Sequence, residues 1–99
     1  MTESNENLQA KLNSETARLR WAELEPHFAR GAVIVVDPDL DLVRVAQCVA
    51  ADDKKSVAVW LEHGRIRRAE PSHAEDWSRR DPQLWAVVTA PWVLVQEAR

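Results

Sequence analysis

The sequence has little cysteine and glycine and no long apolar run. Its one cysteine, Cys48, cannot form a disulfide within the chain, which fits a reducing cytoplasm. Its two glycines, Gly31 and Gly64, are far apart, whereas a phosphate-binding loop needs several glycines between a strand and a helix. No apolar run reaches the roughly 18 residues of a membrane helix, and the N-terminus lacks the apolar core of a secretion signal. We therefore expect a soluble cytoplasmic protein with no membrane contact.

Metal-binding and catalytic motifs are also missing. The histidines, His27, His63 and His73, do not have the spacing of zinc ligands, and Cys48 is not part of a Cys-x-x-Cys pair. The segment that begins at Asp37 has aspartates where a calcium loop needs them, but leucine and cysteine replace its essential glycine and glutamate. We therefore predict no catalytic residue, no cofactor and no metal, and expect that the protein is not an enzyme.

The charges argue against strong general affinity for nucleic acids but predict two local surfaces. The 99 residues are expected to form one domain, and their 13 basic and 16 acidic side chains give a net charge of −3. Residues 37–53 contain five aspartates and one arginine, whereas residues 65–80 contain five arginines and three acidic residues. An acidic surface and a mildly basic surface suit a protein partner at least as well as DNA.

The spacing of apolar residues in the N-terminal region predicts a helix with a break near Pro26. Residues 1–7 are polar and are expected to be disordered. Beyond them, apolar residues recur at helical spacing in two successive phases: Leu8, Leu12 and Leu19, then Ala17, Trp21, Leu24 and Phe28. Proline removes a helical hydrogen bond, so a break or kink is expected within residues 20–26. Gly31 then ends the helix.

The segment 37–69 is the unit around which the remaining predictions are arranged. It follows a β-branched run at residues 32–36, which predicts a buried strand. An apolar stripe from Leu42 to Val49 predicts a helix that Asp39 or Asp41 caps, and either aspartate of the next corner, residues 52–53, can cap a second helix. Gly64 ends that helix, and a short strand follows.

The C-terminal third predicts one more helix and the last strands. Ser72 and Glu75 have the spacing of a capping box at a helix start, and Asp81-Pro82 ends that helix. Residues 84–96 form two strand-like runs or one bent strand. The predicted fold is α+β, with three to four strands backed by helices. Residues 32–36 or the terminal run 93–96 are expected at a sheet edge, where pairing between chains would give a homodimer.

The order of elements in the middle of the chain resembles a winged helix-turn-helix. In that interpretation Leu42–Ala51 is the supporting helix and Lys54–His63 is the recognition helix. Arg65–Ala69 and Leu84–Val88 are then the strands of the wing. The resemblance implies DNA binding, yet the second helix offers only Lys54 and Lys55 as cations.

Tryptophan is unusually frequent, with five residues against one phenylalanine and no tyrosine. Three of them lie on predicted apolar faces and are expected in the core: Trp21, Trp60 and Trp85. Trp77 and Trp92 fit either the core or an interface. An exposed Trp77 beside Arg79 and Arg80 would be a suitable interface anchor, because tryptophan and arginine are enriched at binding hot spots.

Between Glu15 and Glu97 the chain also resembles a small bacterial family known as domain of unknown function 2288. The matching pieces are Glu15-Thr16-Ala17, Trp21 with Glu23-Leu24, Phe28-Ala29-Arg30-Gly31, Leu40-Asp41-Leu42-Val43, and Asp81-Pro82 with the tail LWAVVTAPWVLVQE. The tail is the most specific of these pieces. The resemblance implies a bacterial, soluble protein and carries over no catalytic residue.

The leading hypothesis is a non-enzymatic protein-interaction or regulatory module. The first alternative is a winged-helix DNA-binding regulator. The second is a small-ligand binder or an enzyme, which would need a deep pocket with converging polar groups of shifted pKa. The candidate interaction residues are Lys54, Lys55, Arg65, Arg67, Arg68, Trp77, Arg79 and Arg80.

Overall fold

The computed structural model describes residues 16–98. The disorder predicted for residues 1–7 and the helical spacing of Leu8 and Leu12 lie outside this range. The helices within it are α1 (Trp21–Ala29), α2 (Leu42–Ala50), α3 (Lys54–Glu62) and α4 (Pro71–Arg80). The strands are β1 (Ala17–Leu19), β2 (Val33–Val36), β3 (Ile66–Arg68), β4 (Leu84–Thr89) and β5 (Trp92–Glu97).

The five strands form one mixed sheet in the order β1-β4-β5-β2-β3. Strands β2 and β5 are parallel, and the other neighbours are antiparallel. Strands β4 and β5 are joined in a hairpin by Ala90 and a cis Pro91. The edges of the sheet are β1 and β3, so the prediction that residues 32–36 or 93–96 lie at an edge is wrong. Both runs are interior strands because each has a partner on either side.

Helices cover both faces of this sheet. Side chains along a strand alternate between the two faces, so an apolar strand such as β2 has apolar side chains to bury on each side. Val33 and Val35 of β2 point toward α1 and α4, and we call this side of the sheet with its helices the α1/α4 face. Ile34 and Val36 point toward α2 and α3, and we call that side with its helices the α2/α3 face. The predicted α+β class is confirmed, with five strands within residues 16–98 in place of three to four.

The α1/α4 face is closely packed around Trp77. This side chain is 2% exposed, and its ring centroid lies 6.3 Å from that of Trp21. The indole Nε1–H donates a hydrogen bond to Glu97 over 3.0 Å. The interpretation of Trp77 as an exposed interface anchor is therefore wrong. As the large apolar residue of α4, it is the side chain through which that helix is buried against the sheet.

The α2/α3 face is packed less evenly. Helix α2 buries Leu42, Val45 and Ala46, whereas α3 has no fully buried residue. Val59 and Leu61 of α3 are 50% and 51% exposed. Helix α3 therefore contacts the molecule only through partly buried side chains.

Local signals place the helix ends. The Asp41 carboxylate accepts hydrogen bonds from the first turn of α2, and the Asp53 carboxylate does the same for α3. Gly31 and Gly64 follow α1 and α3 with φ of 72° and 67°, a backbone region that favours glycine. The predicted start of α4 is wrong: the helix begins at Pro71, so Ser72 lies inside it.

Two further predictions fail because strand pairing joins distant parts of the chain. Ala17–Leu19 was predicted helical but forms β1, which pairs with Leu84–Ala86 of β4. The wing of a winged helix is not formed. Strand β3 pairs with β2, whereas β4 pairs with β1 and β5, so the two predicted wing strands are not neighbours.

Candidate functional site

On the α2/α3 face, an apolar cleft of about 370 Å³ lies between helix α3 and the strands of the sheet. Its floor consists of strand side chains, namely Ile34, Ile66, Trp92 and Leu94. Its roof consists of helix side chains, namely Val49, Val57 and Leu61. The cleft exists because α3 buries no residue completely and leaves space above the sheet.

The acidic side of the rim is the corner between α2 and α3. Asp52 has a positive φ of 56° and Asp53 caps α3, so the chain reverses at the mouth of the cleft. The Asp53 carboxylate accepts hydrogen bonds from the Ser56 hydroxyl at 2.8 Å and the Ser56 amide at 3.2 Å. These bonds hold the pKa of Asp53 below its usual value. The Asp52 carboxylate lies 4.0 Å from the ammonium of Lys54.

The opposite side of the rim carries Arg68. Its guanidinium donates a hydrogen bond to the carbonyl of Gly31 over 2.7 Å and lies 5.4 Å from the ring centroid of Trp92. A side chain at position 31 would be crowded, because a Cβ there would lie 3.2 Å from the guanidinium. No carboxylate among residues 16–98 forms an ion pair with Arg68. The guanidinium is thus held beside an apolar surface, with no counter-charge from the described residues.

Cys48 lies near the same corner but has the character of a structural thiol. Burial raises its pKa above the usual 9.0, and the nearby Asp53 carboxylate raises it further. A thiol with a raised pKa stays protonated at neutral pH, and the protonated form is a poor nucleophile. Among residues 16–98, no group of three or more histidine, cysteine, aspartate or glutamate side chains is placed to bind a metal ion.

Two of the predicted interaction residues, Lys54 and Arg68, lie at the cleft rim. Lys55 is exposed on α3, and Arg67 is exposed on the opposite face of β3 from Arg68. Arg65 pairs with Asp37 at 3.3 Å, which occupies its charge.

The last two predicted cations lie on the other side of the sheet. Arg80 forms hydrogen bonds with Asp76 and Glu97, and Arg79 lies 3.7 Å from Asp76. The contact with Glu97 links α4 to β5, whereas Asp76 pairs with both arginines within the helix. The predicted basic surface is therefore divided between both faces of the sheet.

The apolar residues of the cleft were not among the predicted site residues, although Trp92 was left open between the core and an interface. Leu61 and Trp92 are the most telling, because one lines the roof and the other the floor. A signal for Leu61 exists in the sequence: Val57, Trp60 and Leu61 give α3 a narrow apolar stripe that a strand floor can face. Trp92 carries no comparable local signal.

The chain matches the model of a known protein family over most of its length. A family model described as Protein of unknown function (DUF2288) matches residues 7–97. The chain belongs to the DUF2288 family. The family resemblance predicted from the tail and the helix segments is confirmed, and this DUF2288 protein inherits no assigned activity from it.

A solved structure has the same fold. It is described as the NMR solution structure of PA1075 from Pseudomonas aeruginosa, and its sequence is 52% identical. The match covers 100% of this DUF2288 chain and 92% of PA1075, with a TM-score of 0.83. A comparison with curated proteins gives no significant match. Within residues 16–98, every helix is too short or too polar to cross a membrane.

Proposed function

We propose that this DUF2288 protein is a non-enzymatic, cytoplasmic protein-interaction module whose cleft receives an apolar side chain of a partner protein. The observation that carries the proposal is the cleft itself, an apolar space of about 370 Å³ beside a half-exposed Leu61. Desolvated apolar pockets that accept a partner side chain dominate the binding energy of many interfaces.

The polar groups around the cleft support binding over catalysis. Asp53 has a lowered pKa, so it is a weak base, and its oxygens already accept bonds from Ser56. Cys48 has a raised pKa, which opposes a nucleophilic role. A catalytic site needs a base or nucleophile whose pKa is tuned toward neutrality, and these two shifts run the other way.

The proposal is tested with two matched variants of the full chain. Leu61 and Val88 are both apolar and about half exposed, at 51% and 56%, but lie on opposite sides of the sheet. Each is changed to glutamate, and the immobilised proteins are used to capture partners from a bacterial lysate. A protein captured by the unchanged chain and by Val88→Glu, but lost with Leu61→Glu, supports the cleft.

The result that overturns the proposal is equal capture by all three proteins, or no specific capture by any. Neither change should unfold the chain, because an exposed position tolerates a charge. Circular dichroism and a thermal melt of each variant check this point.

A small apolar ligand is the second candidate. The cleft volume falls within the roughly 300–1,000 Å³ of small-molecule sites. Native mass spectrometry of the protein purified from cells distinguishes this candidate, because a retained ligand adds its mass to the folded chain. Leu61→Glu should abolish that added mass.

DNA binding is the weaker alternative. It draws on the exposed Lys54 and Lys55 at the start of α3, but Asp52 and Asp53 precede them and oppose phosphate. The predicted cations are divided between both faces of the sheet, so they do not form one positive surface. If the protein binds duplex DNA, affinity should be measurable at about 50 mM salt and fall steeply toward physiological salt. Absence of binding at the lower salt removes this alternative for the isolated chain.

A further inference from the structure

The two cations at the rim of the cleft differ in their partners. Lys54 lies 4.0 Å from the carboxylate of Asp52. Arg68 bonds to the Gly31 carbonyl, a neutral group, and pairs with no carboxylate in the described part of the chain. The guanidinium is therefore the rim cation that a carboxylate of a ligand could neutralise.

The position of Arg68 suits recognition of a carboxylate. The Gly31 carbonyl and the Trp92 ring fix the guanidinium on two sides. A guanidinium has five N–H donors in a planar fork, so donors remain after one bond is made to Gly31. Arginine binds carboxylates through two parallel hydrogen bonds, and holding the side chain in advance lowers the entropy lost on binding.

The apolar floor lies directly beside this cation. Ile34 is the cross-strand partner of Arg68 and also the partner of Leu94 on β5, and all three side chains line the cleft. An apolar group placed over Ile34 and Leu94 would thus lie next to the guanidinium. Apolar walls reduce solvent screening, so a charge pair formed there is stronger than one in open water.

We infer that the cleft selects a partner segment in which an apolar side chain lies next to a carboxylate, with the carboxylate paired to Arg68. This inference rests on the proposed function and adds the chemistry of the partner. The carboxylate can come from a chain terminus or from an aspartate or glutamate side chain. Both sources present the same group to Arg68, and the test separates them.

The test uses three small probes and NMR titration of the ¹⁵N-labelled full chain. N-acetyl-leucine carries a terminal carboxylate, and N-acetyl-leucinamide is its neutral counterpart with the same side chain. N-acetyl-aspartyl-leucinamide has a blocked terminus and a side-chain carboxylate. The readout is the indole N–H resonance of Trp92, which lies in the cleft floor and is identified by its loss in Trp92→Phe.

The variants are Arg68→Gln and, as a matched control, Arg67→Gln. The two arginines are neighbours on β3 and both are exposed, but they lie on opposite faces of the strand. The unchanged chain and Arg67→Gln should bind the better acidic probe about threefold to fivefold more tightly than N-acetyl-leucinamide, as expected for a partly exposed ion pair. In Arg68→Gln this preference should disappear while binding of the neutral probe is kept.

Whichever acidic probe binds more tightly identifies the source of the carboxylate. Equal affinity of the acidic and neutral probes for the unchanged chain would overturn the inference. So would a preference that survives in Arg68→Gln, or no shift of Trp92 with any probe.

The outcome is separable from that of the proposed function, which is judged by the Leu61→Glu capture experiment. If Leu61→Glu loses its partner while the probes show no charge preference, the cleft binds and only the carboxylate inference fails. If Arg68→Gln does not fold, loss of the preference at high salt in the unchanged chain decides the matter.

Discussion

On the α1/α4 face the helices are held by fully buried side chains and bonded ions, whereas on the α2/α3 face one helix covers a cleft. Leu24 of α1 and Trp77 of α4 are buried, and Arg80 links α4 to β5 through Glu97. Helix α3 has no buried residue and leaves about 370 Å³ beneath it. A small domain has few buried side chains. Both helices of the α1/α4 face contribute one, whereas on the α2/α3 face α3 contributes none.

The two layers differ in what their apolar side chains do. The α1/α4 face, with its aromatic cluster, supplies packing energy that a 99-residue chain needs. The α2/α3 face keeps an apolar surface partly open, which costs stability, and it is the surface that we propose binds a partner.

The largest effect is expected from truncating Trp77. Trp77→Ala removes a side chain that is 2% exposed and leaves a cavity, so unfolding free energy should fall by about 3–5 kcal/mol. Leu61→Ala, at a position that is 51% exposed, should cost less than about 1 kcal/mol. Urea unfolding measures both. Equal losses would contradict the division between the faces.

Hydrogen exchange should show the same division within the unchanged protein. Backbone amides of α3 should exchange at least about tenfold faster than those around Trp77 in α4, a difference of about 1.4 kcal/mol in opening free energy. The reason is that α3 has no fully buried side chain of its own, whereas α4 is anchored by Trp77. Protection of α3 equal to that of α4 would show that the two layers open together.

A smaller effect is expected from the ion pair of α4 in acid. Hydrogen bonds from Arg80 hold the pKa of Asp76 below its usual 3.8. A lowered folded-state pKa contributes stability above 3.8, and this contribution is lost as pH falls through the folded value. Asp76→Asn should therefore lose stability less steeply than the unchanged chain below about pH 4.

The control for this experiment is Arg80→Met, which removes the donor of the same hydrogen bonds. Its stability should fall below about pH 4 as gently as that of Asp76→Asn. A curve for Asp76→Asn that coincides with that of the unchanged chain would show that the bonds with Arg80 contribute no pH-dependent stability.

Elements with local signals were predictable from the sequence. Asp41 and Asp53 cap their helices and Gly64 follows α3 because capping and positive φ depend on neighbouring residues alone. Ala17 was misassigned because it fits the helical spacing of Trp21, and only its pairing with β4 decides otherwise.

The cleft could not be predicted from the sequence either, because it also depends on the pairing of distant strands. Its floor joins Ile34, Ile66 and Trp92 from three strands, and its roof adds Val57 from α3. Their proximity depends on the strand order, which places β5 beside β2 and β3 at the edge. Charge patterning pointed to Arg68 but could not separate it from the arginines that the fold pairs with acids.

Binding at the cleft is tested in bacterial cells by placing a photo-crosslinking amino acid, benzoylphenylalanine, at Leu61 or at Val88 of the full chain. The two positions are similarly exposed and lie on opposite sides of the sheet. We expect a protein adduct from position 61 and none from position 88. Adducts from position 88 alone, or equally from both, would contradict the claim that the cleft beneath α3 is the binding surface.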